Sequence, residues 1–303
     1  MDGILPLWKE KGMTSHDCVF KLRKILGMKR VGHTGTLDPS VEGVLPICIG
    51  QATKVAEYIT DAGKEYIATV SIGASTETED ADGAIVEHNK TFKSFNRKEL
   101  LAALGELTGE ITQIPPMYSA VKVNGKRLYE YARKGIEVER PERTVIIHQI
   151  ELLDDRELFE GEEIQFSIRV ACSKGTYIRT LSVQIGEILG YPAHMASLVR
   201  TASGNFTKKD CLTLQEVASA KEHHQLHTHI RPLENALTAF KFVEIEADLY
   251  DKIINGQVLE QHPILKTDEH IVFTTSEKAV AVYKNHPTKE NLMKPEKMFP
   301  FNS

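Results

Sequence analysis

The 303-residue sequence has few cysteines, no long apolar run and no recognisable nucleotide or metal motif, and each shortage excludes something. Its four cysteines, Cys18, Cys48, Cys172 and Cys211, are scattered without CxxC spacing. That pattern excludes a disulfide framework or zinc knuckle and suits reduced thiols in a cytoplasm. Apolar runs such as Gly43 to Gly50 fall far below the roughly 20 residues of a membrane helix, so no membrane partner is expected. Met1-Asp2-Gly3-Ile4 lacks a basic stretch followed by an apolar one, so no secretory signal is expected and a cytoplasmic location is. No GxxxxGKS/T phosphate loop occurs. Thr78 to Asn89 carries Asp80, Asp82 and Gly83 in the manner of a calcium loop, but Thr78 and Asn89 stand where its outer ligands belong. His223, His224, His227 and His229 have no acidic or cysteine partner at fixed spacing and read as a solvated linker. We therefore expect neither metal nor cofactor.

What is present is an ordinary globular composition, 41% apolar and 26% charged, long enough for one large domain and one small one. The net charge of −5 offers a polyanion no overall attraction, but the charges are segregated. Val121 to Lys134 carries five bases against the single acid Glu130, and Asp154 to Glu163 carries six acids against the single base Arg156. A nucleic acid would be drawn to the first surface and repelled by the second. Both runs are equally readable as solvated surface.

Ser15 is placed to cap a helix with Val19, Leu22, Ile25 and Leu26 on one face and Gly27 as its stop. Asn96 with Glu99 opens a second helix, and a third follows Thr176 and ends at Gly190. Tyr66 to Ile72 and Ile164 to Val170 alternate as strands, and Val145 to Leu152 reads as a strand buried on both faces. Without a regular βαβ rhythm, the pattern predicts an α+β fold: a mixed, largely antiparallel central sheet flanked by helices. After about residue 235 the character changes. Short strand candidates at Ile271 to Thr275 and Ala279 to Tyr283 predict a small β-rich domain, giving domains 1–239 and 240–303.

The densest segment is Val31 to Gly43. Two glycines three residues apart, then Asp38 directly before Pro39 and a buried strand Gly43 to Ile49, fix a carboxylate between a rigid loop and the core. Such preorganisation suits a nucleophile or general base. From spacing alone an Asx turn or helix cap before proline is the simpler reading. Arg179 falls in a first helical turn, where the helix dipole disfavours a cation, which invites an anionic partner such as Asp38. A surface arginine in a frayed turn answers the same pattern. Tyr66, alone, is most simply a core tyrosine.

Taken together, five ordered segments resemble the TruB family of tRNA pseudouridine synthases. They are Gly32-His-Thr-Gly-Thr-Leu-Asp-Pro39, Lys64-Glu-Tyr66, Pro115 to Lys122 with Asn124 to Tyr129, Ser173 to Arg179, and Leu198-Val-Arg-Thr201. The region after about 240 is similar, more loosely, to a PUA domain, an RNA-binding β module. Glu10, within Lys9-Glu10-Lys11-Gly12, departs from the proline usual there. The resemblance implies a pseudouridine synthase fold and isomerisation of uridine 55 in the T loop of elongator tRNAs, by base flipping and without a cofactor. It implies Asp38 as nucleophile, Tyr66 stacked on the target base and Arg179 paired with the aspartate. His33 and Leu198 would line the base pocket, and Lys9, Lys122, Lys126 and Arg127 would contact the T arm. A monomer is expected. The rival expectations are an RNA-binding or chaperone protein without catalysis, which needs no Asp38–Arg179 pair, and a hydrolase, which needs a further water-activating group.

Overall fold

A computed structural model describes residues 1–299 of the chain. Nine strands form the central sheet: β1 (Gly3–Lys9), β2 (Val31–His33), β3 (Glu42–Ile49), β4 (Lys64–Ile72), β5 (Gly109–Gln113), β6 (Arg143–Leu152), β7 (Ile164–Cys172), β8 (Ala193–Ser203) and β9 (Phe206–Thr207). Their order is β1-β3-β8-β4-β7-β6-β5, with β2 on β3 and β9 on β8. Every pairing is antiparallel except β3 with β8, where Val199 faces Glu42 and Arg200 faces Gly43. The fold is thus α+β with a mixed, largely antiparallel sheet.

Helices α1 (Ser15–Leu26), α2 (Arg97–Glu106), α3 (Ile178–Leu189) and α4 (Leu214–Glu222) flank it. Helix α1 is capped by Thr14 rather than Ser15: the Thr14 hydroxyl accepts from the Asp17 amide at 3.0 Å, and the Asp17 carboxylate accepts from the Thr14 amide at 2.8 Å. Ser15 is freed for a longer-range duty described below. Gly27 and Gly190 close α1 and α3 in left-handed conformation, as their sequence positions predict. Helix α3 buries Ile178, Leu181 and Ile185 in the main core beside Leu22, Ala68, Val70 and Ile168. Strand β6 corrects an expectation: Val145 and Ile147 are buried but Ile146 is 43% exposed, so only one face is covered. It lies next to the edge strand β5, and packed side chains reach it from one side alone.

The basic segment forms a hairpin, Lys122–Val123 with Lys126–Arg127, turned by Asn124 and Gly125 at φ 51° and 80°. Both central residues take positive φ, which an Asn-Gly pair tolerates best. The His-rich segment is a helix end and a 3₁₀ turn, Leu226–His229, with His223, His224 and His227 exposed to solvent and Leu226 buried. Residues 241–298 build a five-stranded sheet with parallel pairing only between Lys241–Glu244 and His270–Thr275. This sheet shares an apolar cluster with the central one: Val272, Ala279 and Val282 join Ile4, Val44, Cys48 and Val55. Tyr58 donates to Glu296 at 3.1 Å and Lys297 pairs with Glu57 at 2.5 Å across the same boundary. Among the described residues no helix is long and apolar enough to cross a membrane.

Candidate active site

The loop between β2 and β3 carries Asp38 and is tied down on both sides of it. Before Asp38, the buried Ser15 hydroxyl accepts from the Leu37 amide at 2.9 Å. After it, Lys9 donates to the carbonyls of Val41 at 2.5 Å and Pro39 at 3.5 Å, and the Gly12 amide donates to Pro39 at 2.8 Å. Arg200 comes in from β8, donating to Val44 at 2.7 Å and Thr36 at 3.5 Å. Gly43 is needed here: at φ 138°, an added Cβ would stand 2.3 Å from the Arg200 carbonyl oxygen. The parallel β3–β8 contact therefore closes only around glycine.

Asp38 faces Arg179, with Oδ2 3.3 Å from Nη2. Arg179 is almost wholly buried and turns Nη1 to Asp80, 3.5 Å away, while also donating to the carbonyls of Thr78 at 3.1 Å and Tyr118 at 3.0 Å. Two carboxylates thus offset the unfavourable dipole at the start of α3. Asp80 is itself fixed: Thr78 donates to its Oδ1, as does the Asp82 amide at 3.1 Å. Residues 79–81 are strapped to β8 through Ala81 N to Met195 O at 3.1 Å and Met195 N to Glu79 O at 3.0 Å. Glu79 accepts from Thr180 on α3 at 2.7 Å.

Burial pushes the Asp38 carboxyl above the usual carboxylate range, Arg179 pulls it back, and Asp80 adds to the rise. Arg179 thus favours the ionised form without overcoming desolvation. The Asp38 side chain is still 39% open to solvent, so water continues to support its charge until something fills the cleft. Tyr66, on β4, is 9% exposed and stands opposite Arg200 in the sheet. Burial raises its phenol, with Arg200 opposing, and Asp38 is close enough to add to the rise. At the end of β2, burial lowers His33, which keeps its ring neutral near pH 7, and its Nδ1 is buried without a hydrogen-bond partner.

Leu198 lines a cleft of about 250 Å³ beside this cluster, with Lys11, Ser40, Asp80 and Asp82. A larger concavity of about 590 Å³ lies around Trp8, Lys208 and Glu216; Asp38 and Arg179 line neither, but Asp80, the second partner of Arg179, lines the smaller. We place the site by its charged cluster rather than by its volume.

The structure therefore brings Asp38 and Arg179 into contact and sets Tyr66 and Leu198 near them. Lys122, Lys126 and Arg127 lie on the hairpin, and all three are exposed. Lys9 does not point outward as expected: it is fully buried, and its ammonium serves the backbone of the Asp38 loop. Sequence reasoning passed over Asp80, which it weighed only as part of a failed calcium loop. It also passed over Arg200, although the segment Leu198-Val-Arg-Thr201 contains it. Among the described residues no three His, Cys, Asp or Glu side chains gather to hold a metal ion.

The TruB family pseudouridylate synthase N-terminal domain matches residues 23–178, and the tRNA pseudouridylate synthase B C-terminal domain matches 179–238. The tRNA pseudouridine synthase B of Listeria innocua is 54% identical over 300 residues, 98% of each chain. That of Geobacillus thermodenitrificans is 54% identical over 301 residues, covering 99% of this chain and all of the other. Among solved structures, a Cbf5-Nop10-Gar1 complex matches with TM-score 0.73 and 28% identity, over 98% of this chain and 84% of that one. The chain belongs to the TruB family of tRNA pseudouridine synthases.

Proposed function

We propose that the chain converts uridine 55 in the T loop of tRNA to pseudouridine, with Asp38 as the catalytic carboxylate. The observation that carries this reading is the Asp38–Arg179–Asp80 cluster beside the cleft lined by Leu198, on a chain of this family. In the reaction the N1–C1′ bond breaks, the uracil turns, and C5 bonds to C1′. The proton lost from C5 is matched by one gained at N1, so no group or electron enters or leaves and no cofactor is required. The uridine must leave the stacked loop, and a flipped base would meet Tyr66, His33 and Leu198. Asp38 either attacks C1′, adds to C6 or takes the 2′ proton. In each case its fixed loop spares the cost of orienting it.

The hairpin bearing Lys122, Lys126 and Arg127 would meet T-arm phosphates, supplying affinity without reading bases. Residues 1–239 would act as the catalytic domain and 240–303 as a PUA-like RNA-binding module in a cytoplasmic monomer; positions 300–303 lie outside the described residues. The test is to incubate an unmodified T-arm RNA with the protein, treat it with carbodiimide and map reverse-transcription stops. A stop at the target uridine supports the reading. Tight binding without a stop would instead favour a non-catalytic RNA-binding role.

A further inference from the structure

Arg200 is 1% exposed and among the largest fully buried side chains of the molecule. It sits in one row across three strands, with Gly43 on one side and Tyr66 on the other. Cross-strand partners share a sheet face, so Arg200 and Tyr66 point the same way. Its Nε and Nη1 donate to Val44 and Thr36, in the loop and strand that flank Asp38. Its Nη2 is buried and makes no well-formed hydrogen bond, although the Arg200 side chain approaches the Tyr66 phenol closely enough to help hold its pKa down. No ion pair reaches it among the described residues, unlike Arg179 with its two carboxylates. A buried guanidinium without a counter-ion is costly for folding alone, and a structural loop tie would need only the two donors already used.

We infer that Arg200 is a positioning residue of the isomerisation, whose uncompensated charge acts through Tyr66 on the negative charge of the detached uracil. This rests on the function proposed above. When the N1–C1′ bond breaks, its electron pair leaves with N1, and the ring carries one negative charge until N1 is protonated. A base stacked on Tyr66 would place that charge over a ring whose partner on the same sheet face is the Arg200 cation. Since Nη2 is shielded from solvent, it acts through the tyrosine rather than by touching substrate. Consistent with this geometry, Arg200 opposes the burial that raises the Tyr66 phenol.

Two readouts test this. The first is single-turnover rate at saturating tRNA for Arg200→Met, Arg200→Lys, Tyr66→Phe and the combinations. Arg200→Met should slow conversion about 100-fold or more, and Arg200→Lys, which keeps the charge, should recover at least about tenfold of that. In the Tyr66→Phe background, the effect of Arg200→Met should shrink below about threefold, because the two residues act as one unit. Equal losses in both backgrounds, or a loss that follows melting temperature alone, would show a loop tie and overturn the inference. The second readout needs no turnover: ultraviolet titration of Tyr66, isolated from the other tyrosines by difference against Tyr66→Phe. Tyr66 should ionise at higher pH once the charge at 200 is gone; an unmoved titration would equally overturn the inference. If Arg200→Met does not fold, Arg200→Gln, which also removes the charge, carries both readouts, with a rate loss confined to the Tyr66 background and a titration shifted to higher pH expected. A wild-type protein that leaves T-arm uridine unchanged would sink the proposed function instead.

Discussion

Arg179 stands between Asp38 and Asp80, 3.3 Å from the first and 3.5 Å from the second, and so holds two carboxylates with one guanidinium. Either acid left alone would face a desolvated site with nothing to balance its charge. Arg179→Ala should therefore lower the single-turnover rate by about 100-fold or more while leaving the salt dependence of tRNA binding unchanged. Asp80→Asn keeps the shape but releases Arg179 to Asp38 alone, so a smaller loss of about tenfold is expected, with the rate maximum shifted to lower pH. The sign follows from the electrostatics: Asp80 raises the Asp38 carboxyl, so its neutralisation lets Asp38 ionise at lower pH. Rate profiles between pH 5 and 8 check both variants.

The basic hairpin should fail differently. Lys126 and Arg127 are exposed beside the Asn124-Gly125 turn, so their removal takes away surface positive charge and nothing from the Asp38 cluster. Each cation removed from a phosphate should reduce the slope of log affinity against log salt by roughly one unit. The double alanine variant should bind all tRNAs more weakly, most visibly at low salt, with its saturated single-turnover rate almost intact. A salt series with both variants, hairpin and Arg179→Ala, separates positioning from chemistry.

Much of this division was legible in the sequence because it is local. The capping box of Asn96 and Glu99, the left-handed stops at Gly27 and Gly190, and the Asn-Gly hairpin each follow from residues within a few positions. Thr14 and Ser15 can both cap, and only the tertiary demand of Leu37 for a hydroxyl decides between them. The roles of Lys9, Asp80 and Arg200 were not legible, since each depends on partners from distant strands. Lys9 resembles a surface cation in any window of sequence, and its burial is set by carbonyls 30 and 32 residues away.

Lys64 offers a stability test with a defined sign. Its ammonium donates to the carbonyls of Ile59 at 3.4 Å and Ala62 at 2.6 Å, and also to Thr60, closing the short helix before β4. Burial pulls its pKa down from 10.5 to about 8. The unfolded chain then holds more protons than the folded one between about pH 8 and 10.5, so this group adds stability as pH rises through that window. Relative to Lys64→Met, the wild type should gain up to about 3 kcal/mol from pH 7.5 to 10.5, less whatever the three carbonyls return to the charged form. Denaturant unfolding of both proteins at the two pH values measures it.

Deleting everything after Ala239 removes Val272, Ala279 and Val282 from the apolar cluster they share with Ile4, Val44 and Val55. The truncated chain should therefore melt lower than the full one, by several degrees or more. Asp38, Tyr66 and Arg179 all lie upstream, so the truncation should still convert a short T-arm stem-loop below its melting point. Loss of conversion with retained cooperative unfolding would place a catalytic element in the C-terminal sheet.

The most direct test of Asp38 as the catalytic carboxylate is Asp38→Asn, assayed for both turnover and tRNA affinity. The change is isosteric and leaves Ser15, Lys9 and Arg200 holding the loop, so the fold and the phosphate contacts should persist. No detectable pseudouridine in T-arm RNA is predicted, with an affinity within a few-fold of the wild type. Pseudouridine formation by the Asp38→Asn protein at more than a trace of the native rate would contradict the assignment.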